Sequence, residues 1–191
     1  MSDPIESADA IDVQALGHRL YDLALVRSGD EPLLDPAGQP IKWLLDSRAA
    51  LLHSDMFREV GLVLGQRLRE QGISQVVGYG YGSFGLVGAV LGAAADSYPI
   101  RGGFLREGRK GHGRQRLLEG PIDPSEPIVL VDDILNSGQS ALKSVSQLSS
   151  EGYEVYGVLT LFHFTWSGGR SRLASLGLWV SSLLDLNLRS A

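Results

Sequence analysis

Apolar residues at Phe57, Val60, Leu64 and Leu68 recur at spacings of three and four, which predicts a helix with one buried face. Ser54-Asp55 supplies a cap and a first-turn acid ahead of it, and Gly72 a stop. Gln75-Val76-Val77-Gly78 then reads as a short strand running into the glycine-rich turn Tyr79-Gly80-Tyr81-Gly82-Ser83, after which the apolar segment Phe84 to Ala95 reads as a buried helix. The same strand-turn-helix grammar returns downstream. Ile128-Val129-Leu130-Val131 is a buried strand, Ala141, Leu142, Val145 and Leu148 share one face of a helix ending near Gly152, and Val155 to Phe162 is another strand. Such alternation predicts an α/β fold, a mainly parallel sheet flanked by helices on both faces, with ligands beyond the carboxyl ends of the strands. The loops after Gly78 and Val131 are where chemistry is expected.

Composition narrows the class without changing this picture. The 191 residues suffice for one sizeable core, and 43% apolar with 20% charged residues is ordinary for a globular chain. Residues 1–14 read as a polar tail and 15–191 as a single domain. The first seven residues lack the basic and apolar regions of a secretory signal, and the stretch Leu86 to Ala95 falls far short of the roughly 20 apolar residues that span a bilayer. No membrane association is expected. The absence of cysteine removes disulfides and thiolate metal sites and fits a cytoplasmic setting, while a net charge of −5 argues against nucleic acid as a partner.

Three segments carry candidate chemistry. Asp132-Asp133 follows an apolar strand, and Asn136-Ser137-Gly138-Gln139-Ser140 opens the next helix. A glycine turn at a helix start presents backbone N–H groups and a positive dipole end to a phosphate, and paired carboxylates can hold hydroxyls or stabilise a developing positive charge. The plainer reading is a strand-end aspartate capping a helix. Arg101 to Arg116 gathers six of the chain's 17 lysines and arginines, with His112 and a single acid, Glu107. Its glycines suit a flexible lid closing over a polyanion, or simply a solvated loop. Gly78 to Ser83 brings backbone amides near a ligand, or only lets a strand and a helix pack closely. No P-loop lysine, zinc motif or nucleophile elbow is present.

Val129 to Ser140 resembles the motif by which type I phosphoribosyltransferases bind phosphoribosyl pyrophosphate (PRPP). Phe104 to Gly113 is similar to the catalytic loop of orotate phosphoribosyltransferases, keeping Arg106, Lys110 and His112. Arg27-Ser28-Gly29 and Trp43 to Arg48 resemble that family's small N-terminal hood, here about residues 15–48, and Gly168-Gly169-Arg170 to Leu184 its last helix and strand. The resemblance implies transfer of ribose 5-phosphate from PRPP to a pyrimidine-like or other flat acceptor, with pyrophosphate released. It implies magnesium carried mainly by PRPP rather than by a protein metal site, and a homodimer. Asp132 and Asp133 would contact the ribose, and Asn136, Ser137, Gly138, Gln139 and Ser140 the 5-phosphate. Gly82 and Ser83 would lie on PRPP, Arg106, Lys110 and His112 on the pyrophosphate, and Arg27, Asp46, Arg48 and His163 on the base side.

Four departures bear on this. Glu107 stands where the family's loop has lysine, and Gly82 where some members have lysine. His163, within Phe162-His163-Phe164, aligns with the arginine that holds the base carboxylate. Leu33 to Lys42 reads as a turn flanked by extended segments, longer than the family's hood. Two other functions therefore stay open: a non-catalytic PRPP or nucleotide sensor, and an interaction protein reusing the fold.

Overall fold

Apolar residues at successive strand positions divide between two cores in the computed structural model, which describes residues 8–29, 32–34, 38–94, 96–106 and 117–187. Six strands form the main sheet: β5 (Gln75–Tyr79), β6 (Arg101–Leu105), β7 (Leu118–Glu119), β8 (Ile128–Leu135), β9 (Val155–Phe164) and β10 (Trp179–Leu186), in the order β10-β9-β8-β5-β6-β7. All neighbours are parallel except β6 and β7. Val76, Val129, Val131 and Leu159 face a core shared with helices α1 (Val13–Ala24), α3 (Ser54–Glu70) and α4 (Ser83–Gly92). Their strand neighbours Val77, Leu130 and Val158 face the opposite core, closed by α5 (Gln139–Ser150) and α6 (Gly169–Ala174). This is the period-two signature of a sheet buried on both sides. Side chains such as Leu20, Leu64, Leu68, Leu86 and Leu148 are fully buried, each contributing about 1.5–3 kcal/mol.

Helix starts follow local chemistry. Asp12 caps α1, its Oδ1 accepting from Gln14 N and Ala15 N at 3.0 Å, and Ile11 and Val13 pack on the core. The packed chain thus begins before residue 15. At α3 the cap position is His53, with Ser54 the first helical residue and Asp55 in the first turn. An ideal Cβ on Gly61 would stand 2.2 Å from the Ala89 carbonyl oxygen, so α3 meets α4 at a separation only glycine permits.

Two small antiparallel ribbons precede the sheet. β1 (Leu25–Arg27) pairs with β4 (Trp43–Leu45), and β2 (Leu33–Leu34) with β3 (Pro40–Ile41), which matches the extended segments read in the sequence. Helix α2 (Ser47–Leu51) leads from β4 into the body.

One expectation is corrected here. Arg101-Gly102-Gly103-Phe104-Leu105 is not lid but strand β6, paired with β5 along its whole length. Its glycines are sites of close packing: a Cβ on Gly102 would meet Leu91 and Val87 at 2.8 Å, and one on Gly103 the Glu119 carbonyl oxygen at 2.7 Å. Residues 107–116, with Glu107, Lys110 and His112, lie outside the described residues.

At the far edge, Arg67 of α3 donates to the Ser182 carbonyl at 2.6 Å and to Ser181 Oγ at 3.0 Å.

Candidate active site

The chain runs outward from β5 to β7 in one direction and from β8 to β10 in the other, so the topological switch point lies between β5 and β8. Brackets of this kind open a crevice at the strands' carboxyl ends. Both glycine loops meet there.

β8 continues four residues past its last pairing with β5, at Gly78↔Val131, and stays paired with β9 to Leu135↔His163. Asp132 and Asp133 therefore sit on an extended strand, not in a loop after it, and being successive they point to opposite faces. Asp133 Oδ2 accepts from Ser47 Oγ at 2.7 Å, on the hood side. Asp132 faces the Tyr79 hydroxyl, and its Oδ1 accepts from Asp133 N at 2.9 Å. Burial first, and the neighbouring Asp133 carboxylate second, push Asp132 up to about 8. At neutral pH this favours the protonated form of Asp132.

Residues 136–138 join β8 to α5. Gly138 takes the left-handed conformation (φ 77°) that turns strand into helix and has no side chain to cap α5, which opens at Gln139 with only a long contact of 3.5 Å from Gln139 N to Ser137 Oγ. Its first N–H groups and dipole face the loop, while Asn136, Gln139 and Ser140 are exposed. The loop is braced from behind. Ser167 Oγ donates to the Asn136 carbonyl at 2.6 Å, and a Cβ on Gly169 would lie 1.9 Å from that oxygen.

Gly82 lies against Asp133: an added Cβ would stand 2.6 Å from Asp133 Oδ2. Ser83 is corrected. It is fully buried and its Oγ donates to the Gly80 carbonyl at 2.7 Å, closing the turn rather than facing a ligand. Arg106, just past β6, is ion-paired with Glu119.

On the base side, exposed Arg27 lies opposite Trp43 in the hood ribbon, and Asp46 pairs with Arg48 at 2.8 Å, which holds the Asp46 carboxyl below its ordinary value. Arg48 also lies 5.9 Å over the Tyr81 ring. His163 belongs elsewhere. Its Nδ1 is 3.2 Å from Asp185 Oδ1, which Arg170 also grips, and burial, followed by the Arg170 charge, lowers its pKa. It is a buried, neutral support of the β9–β10 seam. The next residue, Phe164, turns towards the hood, edge-on to Trp43 at 6.1 Å and stacked on Trp166 at 4.7 Å. Phe164 and Trp166 form an aromatic wall, whereas the hydroxyls of Ser47 and Tyr79 went unnoticed in the sequence.

Beside Gly82 lies a cleft of about 680 Å³ lined by Arg48, Leu51, Phe57, Tyr81 and Phe84, with Leu52, Tyr81 and Phe84 exposed. Among the described residues no group of three or more His, Cys, Asp or Glu could hold a metal, and no helix is long and apolar enough to cross a membrane.

No protein-family model matches the chain. It is 31% identical to the orotate phosphoribosyltransferase of a Nostoc species over 186 residues, 93% of this chain and 88% of the relative. It is 30% identical to that of Corynebacterium glutamicum over 184 residues, 95% of this chain and 97% of the relative. Among solved structures, the orotate phosphoribosyltransferase of Mycobacterium tuberculosis H37Rv, in complex with Fe(III) dicitrate, superposes with a TM-score of 0.78 at 27% identity, covering 92% and 97% of the two chains. A phosphoribosyltransferase from Corynebacterium diphtheriae gives 0.75 at 25% identity, covering 91% and 95%. Relatives of this identity and coverage, on a fold whose switch point carries a carboxylate pair and a phosphate loop, show that the chain belongs to the orotate phosphoribosyltransferase family and is a transferase of the type I phosphoribosyltransferase fold.

Proposed function

We propose that the chain transfers the 5-phosphoribosyl group of PRPP to a flat heterocyclic base of the orotate class, releasing pyrophosphate. The observation that carries this is the juxtaposition, at the switch point, of the glycine-led start of α5 with Asp132 and Asp133. In this reading Asn136 to Ser140 hold the 5-phosphate, and the two carboxyls hold ribose hydroxyls and stabilise positive charge at the anomeric carbon. The backbone of the Gly80 to Gly82 turn approaches the pyrophosphate, Lys110 and His112 close on it, and the base lies against the hood and the Phe164 wall.

Magnesium fits the same reading. Carboxylate oxygens are the hard donors it prefers, and carried mainly by PRPP it would reach Asp132 and Asp133, where it neutralises charge on the leaving pyrophosphate. The exposed apolar cleft beside Gly82 supports a homodimer whose partner copy supplies the Lys110 loop. The compartment is the cytoplasm.

The ion pair between Arg106 and Glu119 favours a second reading, a PRPP sensor that binds without turnover. Pyrophosphate release separates the two. With PRPP, magnesium and orotate or an uncharged pyrimidine, release above the base-free rate is expected; PRPP binding with no release for any base would leave the sensor.

A further inference from the structure

Each carboxyl of the Asp132-Asp133 pair has its own buried hydroxyl, and neither hydroxyl belongs to the motif that carries the pair. Ser47 opens α2, straight after hood strand β4, and is fully buried. Its Oγ therefore has no solvent to turn to, and it donates to Asp133 Oδ2 at 2.7 Å. On the other side of the same carboxylate is the Gly82 backbone, close enough that a Cβ would overlap it. Asp133 is thus gripped between the glycine turn and the hood. Tyr79, last in β5 and 5% exposed, interacts with Asp132 from the neighbouring strand.

Among the described residues, the charged and titratable groups around the pair are few. Asp132 faces Tyr79 from β5 and Asp133 from its own strand, and Asp133 feels Arg48 from α2. A carboxylate turns easily about its last torsion, so one donor held in a core narrows its orientations greatly.

We infer that Ser47 and Tyr79 are positioning residues for phosphoribosyl transfer: they fix the carboxylate planes, and Ser47 makes the hood part of the ribose-side machinery. This rests on the role proposed above for Asp132 and Asp133. Neither hydroxyl need touch substrate. Since α2 follows β4 directly, any shift of the hood on binding a base is passed to Asp133 through one hydrogen bond.

The test measures kcat, the KM values for PRPP and base, and Tm for Ser47→Ala, Ser47→Cys, Tyr79→Phe and Asp133→Asn, using whichever of orotate and the uncharged pyrimidines turns over fastest. Loss of a hydrogen bond to a charged group should lower kcat of Ser47→Ala about tenfold, with KM for PRPP changed less than about threefold. Ser47→Cys keeps the volume with a weak donor and should fall between, which keeps the test sound if alanine harms folding. Tyr79→Phe should likewise lower kcat with KM for PRPP changed less than about threefold, because the hydroxyl stands beside the Asp132 carboxyl. In the Asp133→Asn background, Ser47→Ala should cost nothing further. Wild-type kcat in the hydroxyl variants, beside a disabled Asp133→Asn, would overturn the inference alone. Normal turnover in Asp133→Asn would overturn the carboxylate reading beneath it, and no release with any base overturns both.

Discussion

Replacing Asp132 with asparagine should make the ligand-free protein more stable at neutral pH while disabling it. Burial and Asp133 push the Asp132 carboxyl up to about 8, whereas in the unfolded chain an aspartate titrates near 3.9. Between those values the folded protein holds a proton that the unfolded chain has released. Stability contributed by this group is therefore complete below about pH 4 and is lost as pH rises towards 8, by at most about 1.4 kcal/mol per pH unit. From pH 5 to pH 7 that ceiling is about 3 kcal/mol; rearrangement of the coupled pair lowers it, so about 1–3 kcal/mol is expected. Asp132→Asn keeps the shape and has no proton to lose. Urea denaturation of both proteins without PRPP, at unit steps from pH 5 to pH 8, reads the difference directly. The stability gap, variant minus wild type, should widen by that amount between pH 5 and 7 and level off above 8, while turnover drops by at least about a hundredfold. Parallel curves across the range would show that Asp132 is an ordinary ionised carboxylate, and the account of the pair would be wrong.

Gly82→Ala, whose Cβ would arrive 2.6 Å from Asp133 Oδ2, should displace that carboxylate and lower kcat by about tenfold or more; its φ of −64° suits alanine, so Tm should move little. Unchanged kcat would mean the turn yields freely. Phe164→Ala should raise KM for the base about tenfold and leave PRPP affinity, measured by titration, as it was; a selective loss of PRPP binding instead would place the wall on the wrong substrate. His163→Asn should lower Tm without altering the pH profile of base use between pH 6 and pH 8, since a buried neutral imidazole has nothing to titrate there. A profile that changes with that variant would return His163 to the base site.

The motif running from β8 into α5 was legible because its pieces are local: an apolar run, two acids, then a glycine turn beginning a periodic helix. β6 was not, because Arg101-Gly102-Gly103 offers neither alternation nor β-branched residues, and what makes it a strand is its fit against Leu91, Val87 and Glu119. His163 and Phe164 show what alternation decides. Neighbours on a strand face opposite ways, and spacing alone does not say which of the two is buried. Ser47 stands 86 residues from Asp133, and its hydroxyl gains meaning only once α2 is packed beside the switch point. Ser83 misled for the opposite reason, its hydroxyl being consumed three residues away.

The margins of the sheet have a consequence for life in a crowded solution. Outermost strands are templates on which other chains can polymerise, and here β7 offers only two residues of such a template. β10 is eight residues long and more dangerous, but the Arg67 guanidinium occupies its Ser182 carbonyl and places a cation along the rim. An enzyme of this family can thus carry a long terminal strand without inviting fibrils, and Arg67→Ala should reveal the hazard as faster clouding on heating at unchanged catalytic constants.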